Sequence, residues 1–134
     1  MFALLVAAVM ANLSVLAAPP DDYATAYEKA EKGGKPLMVV ISAPWCPACV
    51  SLKNTTLREM ESGGQLQDVS VVVIDRDRDS ALAERLMRGQ AIPQVIVFSK
   101  QDAGRWQRAQ LTGFQTPGTI RQLLRNALSP LSRS

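Results

Sequence analysis

Histidine is absent from this chain of 134 residues, and with it go Ser-His and Cys-His catalysis and the His-containing zinc sites. Cysteine occurs only twice, at Cys46 and Cys49, too few thiolates to close a tetrahedral zinc site. Aromatic residues make up 5% of the chain, and no basic stripe with interleaved aromatics is present. The formal charge of +3 is spread out, with bases and acids alternating through Arg76-Asp77-Arg78-Asp79. Nucleic acid is therefore not expected as a partner, and the mild charge reads as solubility and weak steering. Arg85 and Arg88, beside Asp79 and Glu84, likewise read as a solvated helix face. Internal repeats are lacking, as is low-complexity sequence beyond the N-terminal stretch. The remainder is ordinary globular composition, 47% hydrophobic and 20% charged, of a length that supports one domain with a real core. Neither a metal nor a cofactor is expected, and the chain is read as a monomer.

Met1 to Ala18 carries no charged side chain, is mostly Ala, Leu and Val, and ends in Val15-Leu16-Ala17-Ala18 before Pro19-Pro20-Asp21-Asp22. Small residues before a polar linker offer a cleavage site, so 1–18 is expected to be a signal peptide, with the domain itself spanning 19–134. The missing Lys or Arg near the start departs from that pattern. A retained N-terminal anchor is the alternative, at a length that barely reaches the roughly 20 residues needed to span a bilayer. A lipid anchor is disfavoured, because no cysteine follows the small residues. Export, to the periplasm or another extracytoplasmic space, places the two cysteines where disulfides persist and where thiols must be kept reduced by a dedicated partner.

Downstream of the linker, Tyr23 to Lys32 has helical composition and stops at Gly33-Gly34. Leu37 to Ser42 is a continuous apolar run of the kind buried on both faces in a parallel sheet. From Cys46 the period becomes helical: Val50, Lys53, Asn54 and Leu57 share one side, Cys49, Leu52 and Thr56 lie beside them, and Gly63-Gly64 closes the helix. Val69 to Ile74 reads as a second buried-type strand, Ala81 to Arg88 as a helix with Leu82, Ala83, Leu86 and Met87 inward, and Gln94 to Phe98 as a third strand introduced by Ile92-Pro93. Trp106 to Leu111 returns as an antiparallel strand. Thr116 caps a last helix that begins at Pro117 and carries Ile120, Leu123, Leu124, Ala127 and Leu128 at spacings of three and four. The expected fold class is α/β, a central mixed sheet of about four strands flanked by helices on both faces.

The dithiol sits in Trp45-Cys46-Pro47-Ala48-Cys49, directly after a buried strand and at the start of a helix. Residues three apart on a helix lie on nearly one face, with Cβ atoms about 5 to 6 Å apart, so the pair can close or open a disulfide with little backbone movement. Cys46, at the helix start, meets unpaired N–H groups and the positive end of the dipole, which favour thiolate over thiol. That effect is worth roughly 0.3 to 1 kcal/mol, up to about 2, a modest lowering that lies nearer the reducing end of the range known for such dithiols. Cys49, one turn in, is expected to be less exposed. Cys46 therefore attacks or is attacked, and Cys49 resolves the mixed disulfide. A static structural disulfide and a metal half-site are the bland alternatives, which the strand-before, helix-after placement disfavours. Trp45 shields the sulfurs and offers an apolar face to a partner, unless it is simply a core aromatic. Asn54-Thr55-Thr56 spells a glycosylation acceptor but falls inside the helix beside the dithiol and is taken as chance.

Taken together, the apolar strand leading into Ala43-Pro44-Trp45-Cys46-Pro47-Ala48-Cys49, the run Val71 to Asp75, and Ile92-Pro93 before a strand resemble the thioredoxin superfamily from about residue 22 to residue 128. Lys35-Pro36 and the helix before them look like its exported or membrane-tethered branch, related to the terminal domain of transmembrane electron-transfer reductases. The resemblance implies a cis peptide at Pro93 beside the cysteines, with the backbone of Ile92 free to pair with an extended substrate peptide; a trans proline limiting the strand is the alternative. It implies substrate contacts at Trp45, Pro47, Ile92, Pro93 and Gly113, where an ordinary turn glycine remains open. Partners would be protein disulfides or dithiols, with a membrane electron-transfer protein as a further candidate. Two departures stand out. The buried aspartate that many thioredoxins place near the second cysteine falls at Val40 and its lysine neighbour at Val71, and the dipeptide between the cysteines is Pro-Ala rather than Gly-Pro. The expected activity is thiol–disulfide exchange, as a reductant or electron relay. An oxidase or isomerase using the same residues, and a non-catalytic binding module with a static Cys46–Cys49 bond, are the competing expectations; copper delivery is weaker, since such folds usually add a histidine.

Overall fold

In the computed structural model of the protein, residues 22–128 are described; the leader or anchor expected at 1–18 lies outside them. Helix α1, Tyr23–Gly33, begins at Asp22, whose carboxylate accepts a hydrogen bond from the Thr25 N–H at 2.8 Å and is thereby held below the usual carboxylate range. It ends at Gly34, in the left-handed conformation at φ 62°, where the N–H reaches back to the Ala30 and Glu31 carbonyls. Lys35 and Pro36 then lead into strand β1, Leu37–Ser42, buried at every position.

The remaining elements follow the expected order. The helix after the dithiol runs as α2, Pro47–Ser51, a π-helical segment, Leu52–Leu57, and α3, Arg58–Ser62. Strand β2 is Ser70–Asp75, α4 is Ser80–Leu86, β3 is Gln94–Lys100, β4 is Trp106–Thr112 and α5 is Pro117–Leu128. The strands form one sheet in the order β2-β1-β3-β4. β1 pairs parallel with β2 and antiparallel with β3, and β3 pairs antiparallel with β4. The mixed four-stranded sheet with helices on both faces is thus present.

Alternation along the strands divides the core in two. Met38, Val40, Val95 and Val97 face Leu52, Leu57 and Met60 of the dithiol helix and Ile120, Leu123, Leu124 and Ala127 of α5. Leu37, Val39, Ile41, Val72, Ile74 and Ile96 face Ala26 and Ala30 of α1 and Ala83 and Leu86 of α4. As expected from its sequence, α5 starts from Thr116, whose Oγ1 accepts from the Thr119 N–H at 3.3 Å.

One local expectation is corrected, and the inward side of the dithiol helix is now fixed. Val69–Ile74 was expected to be buried on both faces, but β2 is an outer strand, so only Ser70, Val72 and Ile74 are buried while Val73 is exposed. In the dithiol helix the inward row is Cys49, Leu52, Thr56, Leu57 and Met60, and Val50 faces out. Thr56 and Leu57, consecutive in the π-helical segment, are both buried, as neighbouring positions can be on a wide apolar stripe.

Candidate functional site

Ser42 ends β1, and Ala43 and Pro44 turn the chain so that the Cys46 N–H bonds the Ala43 carbonyl at 3.2 Å. Pro47 takes the first helical position, where its missing N–H costs nothing. Cys46 is therefore the N-cap of α2, with extended backbone (φ −93°, ψ 110°), and its sulfur accepts the Cys49 N–H at 3.3 Å. A serine or aspartate oxygen ordinarily fills that role; here it is the sulfur, so one of the unpaired helix donors points at Sγ. The two cysteines are joined as a disulfide with Cα atoms 5.2 Å apart. Cys46 keeps 6% of its surface accessible and Cys49 none. The expected asymmetry is present, although Cys46 is less open than its assignment as the attacking group implied.

The start of β3 closes over the dithiol. The Ile92–Pro93 peptide is cis, and the Ile92 carbonyl oxygen lies 3.9 Å from Cys46 Sγ, close enough for a reduced thiol to donate to it. Ala43, Cys46, Cys49, Ala48 and Ile92 pack as one small apolar cluster. Gly113 joins the same edge: its N–H bonds the Pro93 carbonyl at 2.8 Å, its φ of 92° is one that side chains avoid, and no atom stands where a Cβ would go. Its conformation fits the turn-glycine reading. The fold thus gathers Cys46, Cys49, Ile92, Pro93 and Gly113, while Pro47 lies exposed at the helix start.

Trp45 is 63% exposed, which settles its two readings against a core aromatic. Its indole N–H donates to Asp77 Oδ2 at 2.6 Å. Asp77 was not singled out from the sequence, where the Arg-Asp alternation reads as plain surface charge. The loop carrying it is built by Asp75, whose Oδ1 accepts from the N–H groups of Asp77 and Arg78 at 2.9 and 3.3 Å. Arg76 ties the loop to the chain before the cis peptide, donating to the Gln90 carbonyl at 3.0 Å and to its side-chain oxygen at 3.2 Å.

Cys49 packs among apolar groups, Ala43, Ala48 and Ile92. Val40 is fully buried in the cluster containing Leu52 and Met60, and Val71 packs against it half-buried. Among the described residues the buried polar side chains are Ser42, Thr56, Ser70, Gln94 and Ser99, none of them ionisable near pH 7. Thr56 donates to the Gln115 carbonyl at 2.7 Å, linking the dithiol helix to the loop that carries Gly113. A hollow of about 960 Å³ runs along β2, lined by Pro44, Leu57, Val71 and Val73 among others, but neither cysteine lines it. The sulfurs therefore lie outside this hollow, with Cys46 alone reaching the surface slightly. The described residues contain no group of three His, Cys, Asp or Glu side chains able to hold a metal, and no helix among them is long and apolar enough to cross a membrane.

A family model described as thioredoxin-like matches residues 18–100. Curated proteins yield no match. Among solved structures, a thioredoxin from Thermus thermophilus superposes with a TM-score of 0.64 at 23% identity, covering 77% of this chain and 81% of that one. Chloroplastic thioredoxin z gives 0.56 at 27% identity, covering 75% and 86%. Trichomonas vaginalis thioredoxin gives 0.60 at 16% identity, covering 79% and 91%.

Proposed function

The chain belongs to the thioredoxin-like family, and from that premise we propose that it reduces disulfides in protein substrates, as a terminal reductant or an electron relay, outside the cytoplasm. Thiol–disulfide oxidoreductase chemistry in general follows from the fold and the Cys46–Cys49 pair. The observation that carries the assignment of roles is the Cys49 N–H aimed at Cys46 Sγ, because a donor fixed on that sulfur favours its thiolate.

In the proposed cycle the Cys46 thiolate attacks one sulfur of the substrate disulfide and expels the other as a thiolate. Cys49, losing its proton, then attacks Cys46 Sγ and expels the second substrate thiolate. Two electrons pass to the substrate, the Cys46–Cys49 disulfide forms, and an external dithiol must return it to the reduced state. An exported protein meets no glutathione-reducing pool, so a membrane electron-transfer protein is the proposed donor. The site's position outside the hollow beside β2, with Trp45 exposed next to the dithiol, suits a macromolecular disulfide carried on an extended chain. The Ile92 backbone and the open space above Gly113 offer that chain a strand-like place to lie.

Insulin reduction driven by dithiothreitol tests this proposal: wild type accelerates precipitation of the insulin chains, and Cys49→Ala loses multiple turnover. Activity that survives Cys49→Ala intact contradicts the two-cysteine cycle. A second reading, a binding module with a static disulfide, draws on the low exposure of both cysteines; oxidised protein that fails to exchange with dithiothreitol at neutral pH would establish it.

A further inference from the structure

Gln94 is a polar side chain with no accessible surface, placed immediately after the cis peptide that borders Cys46. It points to the α1 and α4 side of the sheet, the same side as Ile96, since strand residues two apart share a face. There its carboxamide satisfies the loop between α4 and β3 from within. Nε2 donates to the carbonyls of Arg88 at 3.0 Å, Gly89 at 3.3 Å and Ala91 at 3.0 Å, and Oε1 accepts from the Arg88 N–H at 3.2 Å. One side chain thus holds four backbone groups of the segment that ends in Ile92. Gly89, at φ 78°, lets that segment curl around the amide, and Arg76 grips Gln90 from the outside.

We infer that Gln94 is a positioning residue for substrate docking: by holding residues 88–91 it fixes the Ile92 backbone beside Cys46 and presets the edge on which a substrate chain lies. A buried amide with its donors and acceptor occupied is rigid, because every displacement leaves a polar group unpaired. Leu or Val at this place in β3 would fill the core equally well, so the need for an amide comes from the loop and not from the sheet. The inference rests on the proposed exchange with protein disulfides, since only a substrate that lies along the Ile92 edge feels its placement. A small disulfide that reaches the sulfur without backbone pairing is indifferent to it.

The experiment compares the full chain with Gln94→Met, which keeps length and removes the amide, on insulin and on hydroxyethyl disulfide. The expected result is a KM for insulin raised about five-fold or more, with kcat and the rate on hydroxyethyl disulfide within about two-fold of wild type. Amide hydrogen exchange at Arg88 should quicken at the same time. Unchanged KM, or equal loss on both disulfides, overturns the positioning role while leaving the exchange activity standing. Should Gln94→Met not fold, Gln94→Asn, one methylene shorter, is read for the same split; if neither folds, Gln94 acts on the fold as a whole and the inference is wrong. A wild-type protein inert toward both disulfides defeats the proposed function instead, a result separable from failure of the variant alone.

Discussion

The two sulfurs of one disulfide lie in opposite surroundings. Cys46 is met by backbone polar groups, the Cys49 N–H at 3.3 Å and the Ile92 carbonyl at 3.9 Å, and keeps some surface. Cys49 is fully enclosed, in the small apolar cluster with Ala43, Ala48 and Ile92. The Cys49 N–H favours the charged form of the Cys46 thiol, the Ile92 carbonyl favours the neutral form, and the apolar enclosure of Cys49 opposes charge there. In the proposed cycle the division of labour between these two chemically identical residues rests on the helix start and the depth of one turn. Among the described residues no carboxylate is buried, so the proposed resolving step by Cys49 passes its proton to the leaving thiolate or to water.

The largest break in this comparison is Cys46→Ser, which removes the attacking sulfur while keeping a helix cap: exchange should disappear, with melting of the reduced protein changed by less than about 1 kcal/mol. Next comes Val40→Asp, which puts a carboxylate into the apolar side of the contrast. Burying it without a partner should cost on the order of 3 kcal/mol and raise the carboxyl pKa, yet release from the Cys46 mixed disulfide should speed up, because the thioredoxin resemblance puts a proton acceptor for the second cysteine at this position. Stopped-flow resolution of a trapped mixed disulfide, read against thermal melting, checks both halves; slower release would show that the apolar floor is not what limits Cys49. The smallest effect is expected from Asp77→Ala, which frees the exposed Trp45 ring by removing a single hydrogen bond worth about 1 kcal/mol. Insulin KM should rise roughly five-fold with a shift in tryptophan emission, and an unchanged KM would show that Trp45 does not contact substrate.

Much of this was legible in the sequence for a physical reason: each element carries its own signal. Leu37 to Ser42 announces a central strand by unbroken hydrophobicity, Gly34 a helix end, and Thr116-Pro117 a helix start. The dithiol announces itself because Cys46 and Cys49 are the only sulfur pair and are spaced by one turn. What was not legible depends on strand order, local helical irregularity and tertiary contacts. Val69–Ile74 looks as apolar as β1, and only the strand order makes it an edge. The π-helical segment leaves no mark in the letters from Leu52 to Leu57. Asp77 and Gln94 became site residues only when the fold brought Trp45 and the 88–91 loop to them, partners that lie 32 residues away in the first case and three to six in the second. A glutamine at the start of an otherwise apolar strand was nevertheless a readable anomaly, since a buried amide demands partners.

The unequal treatment of the two sulfurs is tested most directly by a brief pulse of limiting iodoacetamide on the fully reduced protein at neutral pH, followed by peptide mapping. Label confined to Cys46 is the predicted result; label divided equally, or found first on Cys49, would contradict it.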